Sequence, residues 1–324
     1  MFIAQAYNYL HEAWRYLVGF LVIFFIWQMG YLPLTLAAVI KLASEGKDLM
    51  ALGDDPNKVM ALFDSNTALF LMLLSFVIGL FGIYLWAKLV HKQPMKSLTT
   101  SRKKIDWGRF AFAFGLIAVV TIAFTGLDYY LNPEGYVWQF NPVNFAVLAL
   151  ISILMIPLQT SFEEYLFRGY LMQGFGVMTK TRWFPLLVTS LVFGGLHYFN
   201  PEVDQLGSII MVFYIGTGLF LGIITLMDEG MELALGFHAG NNLVAALLVT
   251  ADWTAFQTDS LLKDVSDPSA GVDVLIPVLL IYPIFIWIMA KRYRWSNWKQ
   301  KLFGKVEPPL PPTDDAKPHS LLEF

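Results

Sequence analysis

The chain has 324 residues, 56% hydrophobic and only 15% charged, with a mean hydropathy of +0.56. A water-soluble domain carries about 25% charged residues, so the composition excludes one and points to a bilayer. The net charge of −3 hides a strong segregation of sign, and the lack of cysteine excludes disulfides, thiolate nucleophiles and thiolate metal ligands.

Crossing a bilayer as a helix takes about 20 apolar residues. Eight runs approach that length: 16–40, 67–90, 110–131, 144–162, 183–199, 206–227, 233–249 and 274–290. The expected fold is all-α, a polytopic integral membrane bundle of about eight transmembrane helices. The first run is too long for the apolar region of a cleavable signal and lacks a small-residue cleavage site, so it reads as a retained anchor. The first three runs have almost no ionisable residue at their centres and read as scaffold. A polar loop with Gly53-Asp54-Asp55-Pro56 separates the first two, and a basic loop follows the second.

Lysine and arginine concentrate in 88–109, at Lys180 and Arg182, and after residue 290. The loops 128–142 and 200–205 hold acids without Lys or Arg, and 250–273 holds five Asp and one Lys. Under the positive-inside rule this pattern places both termini in the cytoplasm, an orientation that eight crossings satisfy. The 41–66 loop is the weakest vote, with three Lys against five acids. The segment after Glu307 is rich in Pro and Asp and is expected to be disordered. Glycines at four-residue spacing, Gly218 with Gly222 and Gly236 with Gly240, are expected to let helices approach closely.

Glu163 and Glu164 close the fourth run, and Arg168 follows. Carboxylates at such a place are expensive and survive where they are paired or used. Glu164 and Arg168 stand i,i+4 with the acid first, the favourable order for an ion pair. Glu163 is rotated by about 100° from Glu164 on a helix, so Arg168 can neutralise Glu164 and leave Glu163 aimed elsewhere. His197 and His238 lie inside apolar runs, whereas His11, His91 and His319 fall in polar or terminal segments. His238 shares a helix face with Asn242, and His197 shares one with Phe193. Three helices meeting would point Glu163, His197, His238 and Asn242 into one polar pocket.

A carboxylate beside a neutral imidazole can deprotonate water, and a second histidine with an amide can donate to a developing oxyanion. Those are the parts of amide hydrolysis without a covalent intermediate. The same His197, His238 and Glu163 could instead hold a zinc ion with an open position, although their spacing is not the helical HExxH pattern. A proton-coupled transporter using the buried Glu and His groups is the main alternative, and a catalytically silent membrane scaffold the third.

Glu163-Glu164-x-x-x-Arg168, Phe193-x-x-x-His197 and His238-x-x-x-Asn242, in that order, resemble the three motifs of the CAAX protease and bacteriocin-processing (CPBP, or Abi) family of intramembrane endopeptidases. The resemblance spans 143–249. It implies Glu163 as general base, His197 assisting it, His238 and Asn242 at the oxyanion, and Glu164 and Arg168 in support. It implies a membrane-associated peptide or protein substrate within the lipid bilayer and no nucleic acid, with the metal-free mechanism favoured over zinc. The cell membrane is the expected location. The expected organisation is 1–142 for three scaffold helices, 143–249 for the catalytic core, 250–290 for an acidic loop and the last helix, and 291–324 for a basic, disordered cytoplasmic tail.

One difficulty is depth. His238 stands about 9 Å, Asn242 about 15 Å and His197 about 21 Å along helices that begin at the cytoplasmic side. Glu163 falls near the cytoplasmic edge if its helix starts near Asn144. Bending at Pro157, Pro185 or 169–176 is the expected remedy.

Overall fold

The computed structural model describes residues 1–47, 56–268 and 271–308. The expected 53–56 loop and the tail beyond 308 therefore lie outside, or almost outside, the described residues.

Helices α1 (Ala13–Met29) and α2 (Leu32–Ser44) form the first apolar stretch. They are separated at Gly30, where a Cβ would lie 2.6 Å from Ser75 Cα. Asp64 caps α3 (Ser65–Trp86) by accepting from Thr67 N, and Asp106 caps α4 (Trp107–Leu131) through Gly108 and Arg109 N. Asn141 caps α5 (Pro142–Glu164), with Pro142 in the first turn. A π-helical turn (Tyr165–Leu171) carries α5 without a break into α6 (Met172–Thr179), which ends at Lys180 with φ 56°. Then come α7 (Trp183–Leu196), a short helix Pro201–Leu206, α8 (Ile210–Asp228), α9 (Glu232–Leu248) and α10 (Tyr282–Tyr293).

Among the described residues five stretches are long and apolar enough to cross a membrane: Ala13–Ser44, Ser65–His91, Trp107–Leu131, Pro142–Thr179 and Ile210–Asp228. Large apolar side chains such as Leu21, Phe25, Val119, Leu150 and Ile153 face outward, while charged groups such as Glu164, Arg168 and Glu232 are buried. That inversion is what a bilayer selects, since apolar surface costs nothing against lipid and charges must be paired inside. The protein is an all-α, polytopic integral membrane bundle. A small sheet closes one end, with β1 (Tyr136–Trp138) antiparallel to β3 (Leu262–Asp264) and β3 parallel to β2 (Val249–Thr250).

The spaced glycines set helix contacts. A Cβ on Gly236 would lie 2.1 Å from Phe110 O, and on Gly240 2.9 Å from Phe114 O, so α9 lies directly on α4. Gly218 brings α8 to 2.9 Å from Ser190 O on α7 by the same measure. These glycines make room for backbone rather than for substrate.

Two expectations change. First, the helix bearing Glu163 does not end there: the stretch Pro142–Thr179 runs for 38 residues, so Glu163 stands about 24 Å from its far end. Second, residues 291–308 are not a free tail. They include a helix (Trp298–Phe303), a bridge from Lys305 to Thr181, and a buried Val306.

Candidate active site

Helices α5, α7 and α9 bring Glu163, His197, His238 and Asn242 to the wall of one cavity of about 720 Å³. The depth difficulty has two sources, and both dissolve. The extended α5–α6 helix puts Glu163 in its middle. The α8–α9 turn, meanwhile, is no surface loop: Asp228, Met231 and Glu232 are buried. Residues 99–109 cover it, with Met231 N donating to Thr99 O, Arg102 pairing with Asp228 at 2.6 Å and Glu232 at 3.1 Å, and Arg109 pairing with Asp228 at 2.8 Å. α9 therefore starts within the protein, and His238 needs only two turns to reach Glu163. Pro157 lies inside α5, but no sharp fold-back at it is needed.

Each charge has a defined partner. Arg168 and Glu164 are both fully buried and pair at 3.0 Å. Arg168 also donates to Gly218 O at 3.1 Å and lies 4.3 Å over the Phe193 ring. The same Oε1 of Glu164 takes His238 Nδ1 at 2.8 Å. Because a carboxylate only accepts, that contact fixes the proton on Nδ1 and turns Nε2 to the cavity, 3.5 Å from Glu163 Oε2. Glu164 is thus a partner of both Arg168 and His238, and Glu163 is left facing the cavity, as the helical spacing implies.

Glu163 is held by an amide chain that the sequence reading missed. Gln159 Nε2 donates to Glu163 Oε1 at 2.7 Å, Asn242 Nδ2 donates to Gln159 Oε1 at 3.3 Å, and Asn241 Nδ2 donates to Asn242 Oδ1 at 3.1 Å. The acceptor-only carboxylate sets the polarity of the whole chain: Gln159 must offer its NH₂, so its oxygen faces Asn242, which must do the same. Glu163 Oε2 makes no hydrogen bond within the protein. The usable signal was Gln159 itself, an amide one turn before Glu163 on an apolar helix.

His197 ends α7. Its Nδ1 lies 2.8 Å from Phe193 O, and a carbonyl only accepts, so Nε2 is left to accept a proton. Tyr214, also unforeseen, stacks on the ring at a centroid distance of 4.5 Å. Phe193 stands between the imidazoles, 4.7 Å from His197 and 6.0 Å from His238. The close approach of α7 and α8 here depends on Gly194, where a Cβ would lie 2.9 Å from Ile215 N.

The zinc expectation requires His197, His238 and Glu163 to converge as ligands. Among the described residues no group of three or more His, Cys, Asp or Glu side chains is disposed to hold a metal ion. The donor set fits poorly for a structural reason. The Phe193 ring lies between the histidines, and Glu163 is directed at only one of them.

Together the fold and the site define a membrane-embedded helical protein with a buried glutamate–histidine centre. The model of the family "Type II CAAX prenyl endopeptidase Rce1-like" matches residues 142–244, which contain every motif residue above. The chain is also 29% identical over 238 residues to the "Uncharacterized protein YyaK" of Bacillus subtilis (strain 168), covering 73% of this chain and 78% of YyaK. No solved structure matches it.

Proposed function

We propose that this protein is an intramembrane endopeptidase that hydrolyses a peptide bond of a membrane-associated protein or peptide through water activated by Glu163. The observation that carries the reading is the state of the Glu163 carboxylate. One oxygen is fixed by Gln159; the other has no hydrogen-bond partner and lies 3.5 Å from His238 Nε2 at the cavity wall.

In this mechanism Glu163 Oε2 takes a proton from water as its oxygen attacks the scissile carbonyl carbon. His197, with Nδ1 occupied by Phe193 O, has Nε2 free to accept a proton and assists. The carbonyl oxygen becomes an oxyanion, which the second Nδ2–H of Asn242 can stabilise, joined by His238 once its Nε2 has taken up a proton. Collapse breaks the C–N bond, and the proton held by Glu163 passes to the leaving nitrogen. Glu164 and Arg168 orient His238. No step needs a metal ion, and the metal-free version is the one proposed. The orientation proposed has both termini in the cytoplasm of a cell with this protein in its cell membrane. In support, Arg102, Arg182, Lys301 and Lys305 gather at one end of the bundle through their contacts with the α8–α9 turn and the 180–182 segment.

The test is cleavage of membrane peptides by the protein in liposomes, with Glu163→Gln and His197→Ala alongside. Loss of about 10²-fold or more in both variants, with unfolding unchanged, is the expected result. Full activity of Glu163→Gln would refute the mechanism.

A further inference from the structure

Asp228, the last residue of α8, gathers side chains from two distant segments. Its Oδ2 pairs with Arg102 and Arg109, and its Oδ1 accepts from Trp295 Nε1 at 3.0 Å. Residues 102–109 and the segment that follows α10 thereby meet on one face of the bundle. The acids there are engaged: Asp228 is buried, and Asp106 pairs with Arg109. Lys103, Lys104, Lys291, Arg292 and Arg294 are exposed and, among the described residues, make no ion pair.

Two of these cations rest on aromatic rings. The Arg292 guanidinium lies 4.4 Å over Phe112 of α4, and Lys291 Nζ lies 4.5 Å over Trp287. Arg109 in turn lies 4.3 Å over Tyr293, whose ring meets Phe112 edge-on. A ring face holds a cation without using its N–H donors. Arg292 uses only Nε, on Tyr293 OH at 3.4 Å. Its remaining donors, and those of Lys291, are available to an anion.

Along α10, away from these cations, the surface is apolar. Leu280, Ile284 and Trp287 are exposed, at spacings of four and three residues that set them on the side of the helix that carries Lys291. Trp107 and Trp298 are exposed in the segments that meet at Asp228. Exposed tryptophan beside lysine marks the level where hydrocarbon gives way to headgroups. A soluble acidic protein could answer the cations but not the apolar stripe, and neither could a free phosphate. A phospholipid with a negative headgroup answers both.

We propose that this face binds an anionic phospholipid. Lys291 and Arg292 hold its phosphate, Lys103, Lys104 and Arg294 add to the attraction, and an acyl chain lies along Leu280, Ile284 and Trp287. The site lies outside residues 142–244 and outside the cavity, so its occupancy does not depend on whether the protein cleaves peptides.

The experiment uses the full chain in a non-ionic detergent with equal amounts of phosphatidylglycerol and phosphatidylcholine of identical acyl chains. Bound lipid is counted by native mass spectrometry. Phosphatidylglycerol should be favoured by about ten-fold or more. Lys291→Gln/Arg292→Gln should cut the preference to about two-fold or less, as should about 0.5 M salt. Lys291→Arg/Arg292→Lys keeps both charges and should keep the preference. Lys88→Gln/Lys92→Gln removes equal charge at the end of α3 and should leave it in place. Equal retention of the two lipids, an equal fall in both glutamine variants, or a fall in the charge-conserving variant overturns the proposal. Displacement of the lipid by glycerol phosphate at equal concentration would mark a site for free phosphate and also overturns it. So does capture of polyglutamate in preference to phosphatidylglycerol, which would mark a protein-docking face.

Discussion

Arg168→Met tests the electrostatic base of the site without any substrate. Arg168 and Glu164 are wholly buried and 3.0 Å apart. Deleting the guanidinium leaves Glu164 with one remaining partner, His238 Nδ1, because its Oε2 already has none. Breaking a buried pair in this way costs about 3–5 kcal/mol. The loss of the Gly218 O hydrogen bond and of the Phe193 contact falls on the same side. Against a total stability of about 5–15 kcal/mol, the variant should unfold at a much lower temperature or denaturant concentration in detergent. Glu164→Gln/Arg168→Met removes both charges and keeps an oxygen for His238 Nδ1–H, so most of the stability should return, since neutral replacement of a buried pair is near break-even. Cleavage should not return, because the imidazole has lost its charged anchor. A single variant within about 1 kcal/mol of wild type, or a double variant no more stable than the single, would refute this account of the pair.

Gln159→Leu removes the donor to Glu163 and the acceptor for Asn242; a hydrogen bond to a charged group is worth about 1.5–3 kcal/mol, so kcat/KM should fall about 10- to 100-fold, and combination with Asn242→Ala should lose less than the sum in a double-mutant cycle. Gly236→Leu should destabilise by about 1–3 kcal/mol or more, since even its Cβ would lie 2.1 Å from Phe110 O, whereas Gly195→Ala, with nothing within 4 Å, should unfold like wild type. A chelator should leave cleavage unchanged in liposomes; loss restored by added zinc would reinstate the metal version. Glu202 has its carboxyl raised above 4.5 by burial, so the folded state keeps a proton that the unfolded chain has released. Its cost to stability is absent below the unfolded pKa and grows as pH rises to the folded one. Glu202→Gln should therefore match wild type near about pH 4 and exceed it near about pH 8 in denaturation; a gap that narrows with rising pH would contradict this.

Much of the site was legible because helical geometry is local. The i,i+4 rule alone separated Glu164, which meets Arg168, from Glu163, which faces the cavity. Composition was enough for the bundle, since apolar runs of membrane length leave few other solutions. What stayed hidden depended on tertiary placement. The run ending at Phe162 marks where the apolar pattern stops, and the helix continues to Thr179 because the polar residues beyond find buried partners: Gln173, for example, donates to Ser97 O at 2.8 Å. The depth at which α9 starts was hidden for the same reason. Asp228 and Glu232 look like the acids of a surface turn until Arg102 and Arg109, more than 100 residues earlier, are seen to cover them.

His238 is where these long-range placements converge. Its Nδ1 reads the α5–α6 helix through Glu164, and its Nε2 faces Glu163 from the same helix, one residue earlier. Two adjacent carboxylates, rotated about 100° apart, thus lie beside opposite nitrogens of one ring, one hydrogen-bonded at 2.8 Å and the other 3.5 Å away. The pairing explains why both acids sit side by side in an apolar helix. One is neutralised by Arg168 and positions the imidazole. The other, tethered through Gln159 to Asn242, leaves its second oxygen without a hydrogen-bond partner in the protein. Arg168 and Gln159 serve opposite ends of this arrangement, so their losses should differ in kind: Arg168→Met should act first on stability, and Gln159→Leu first on turnover.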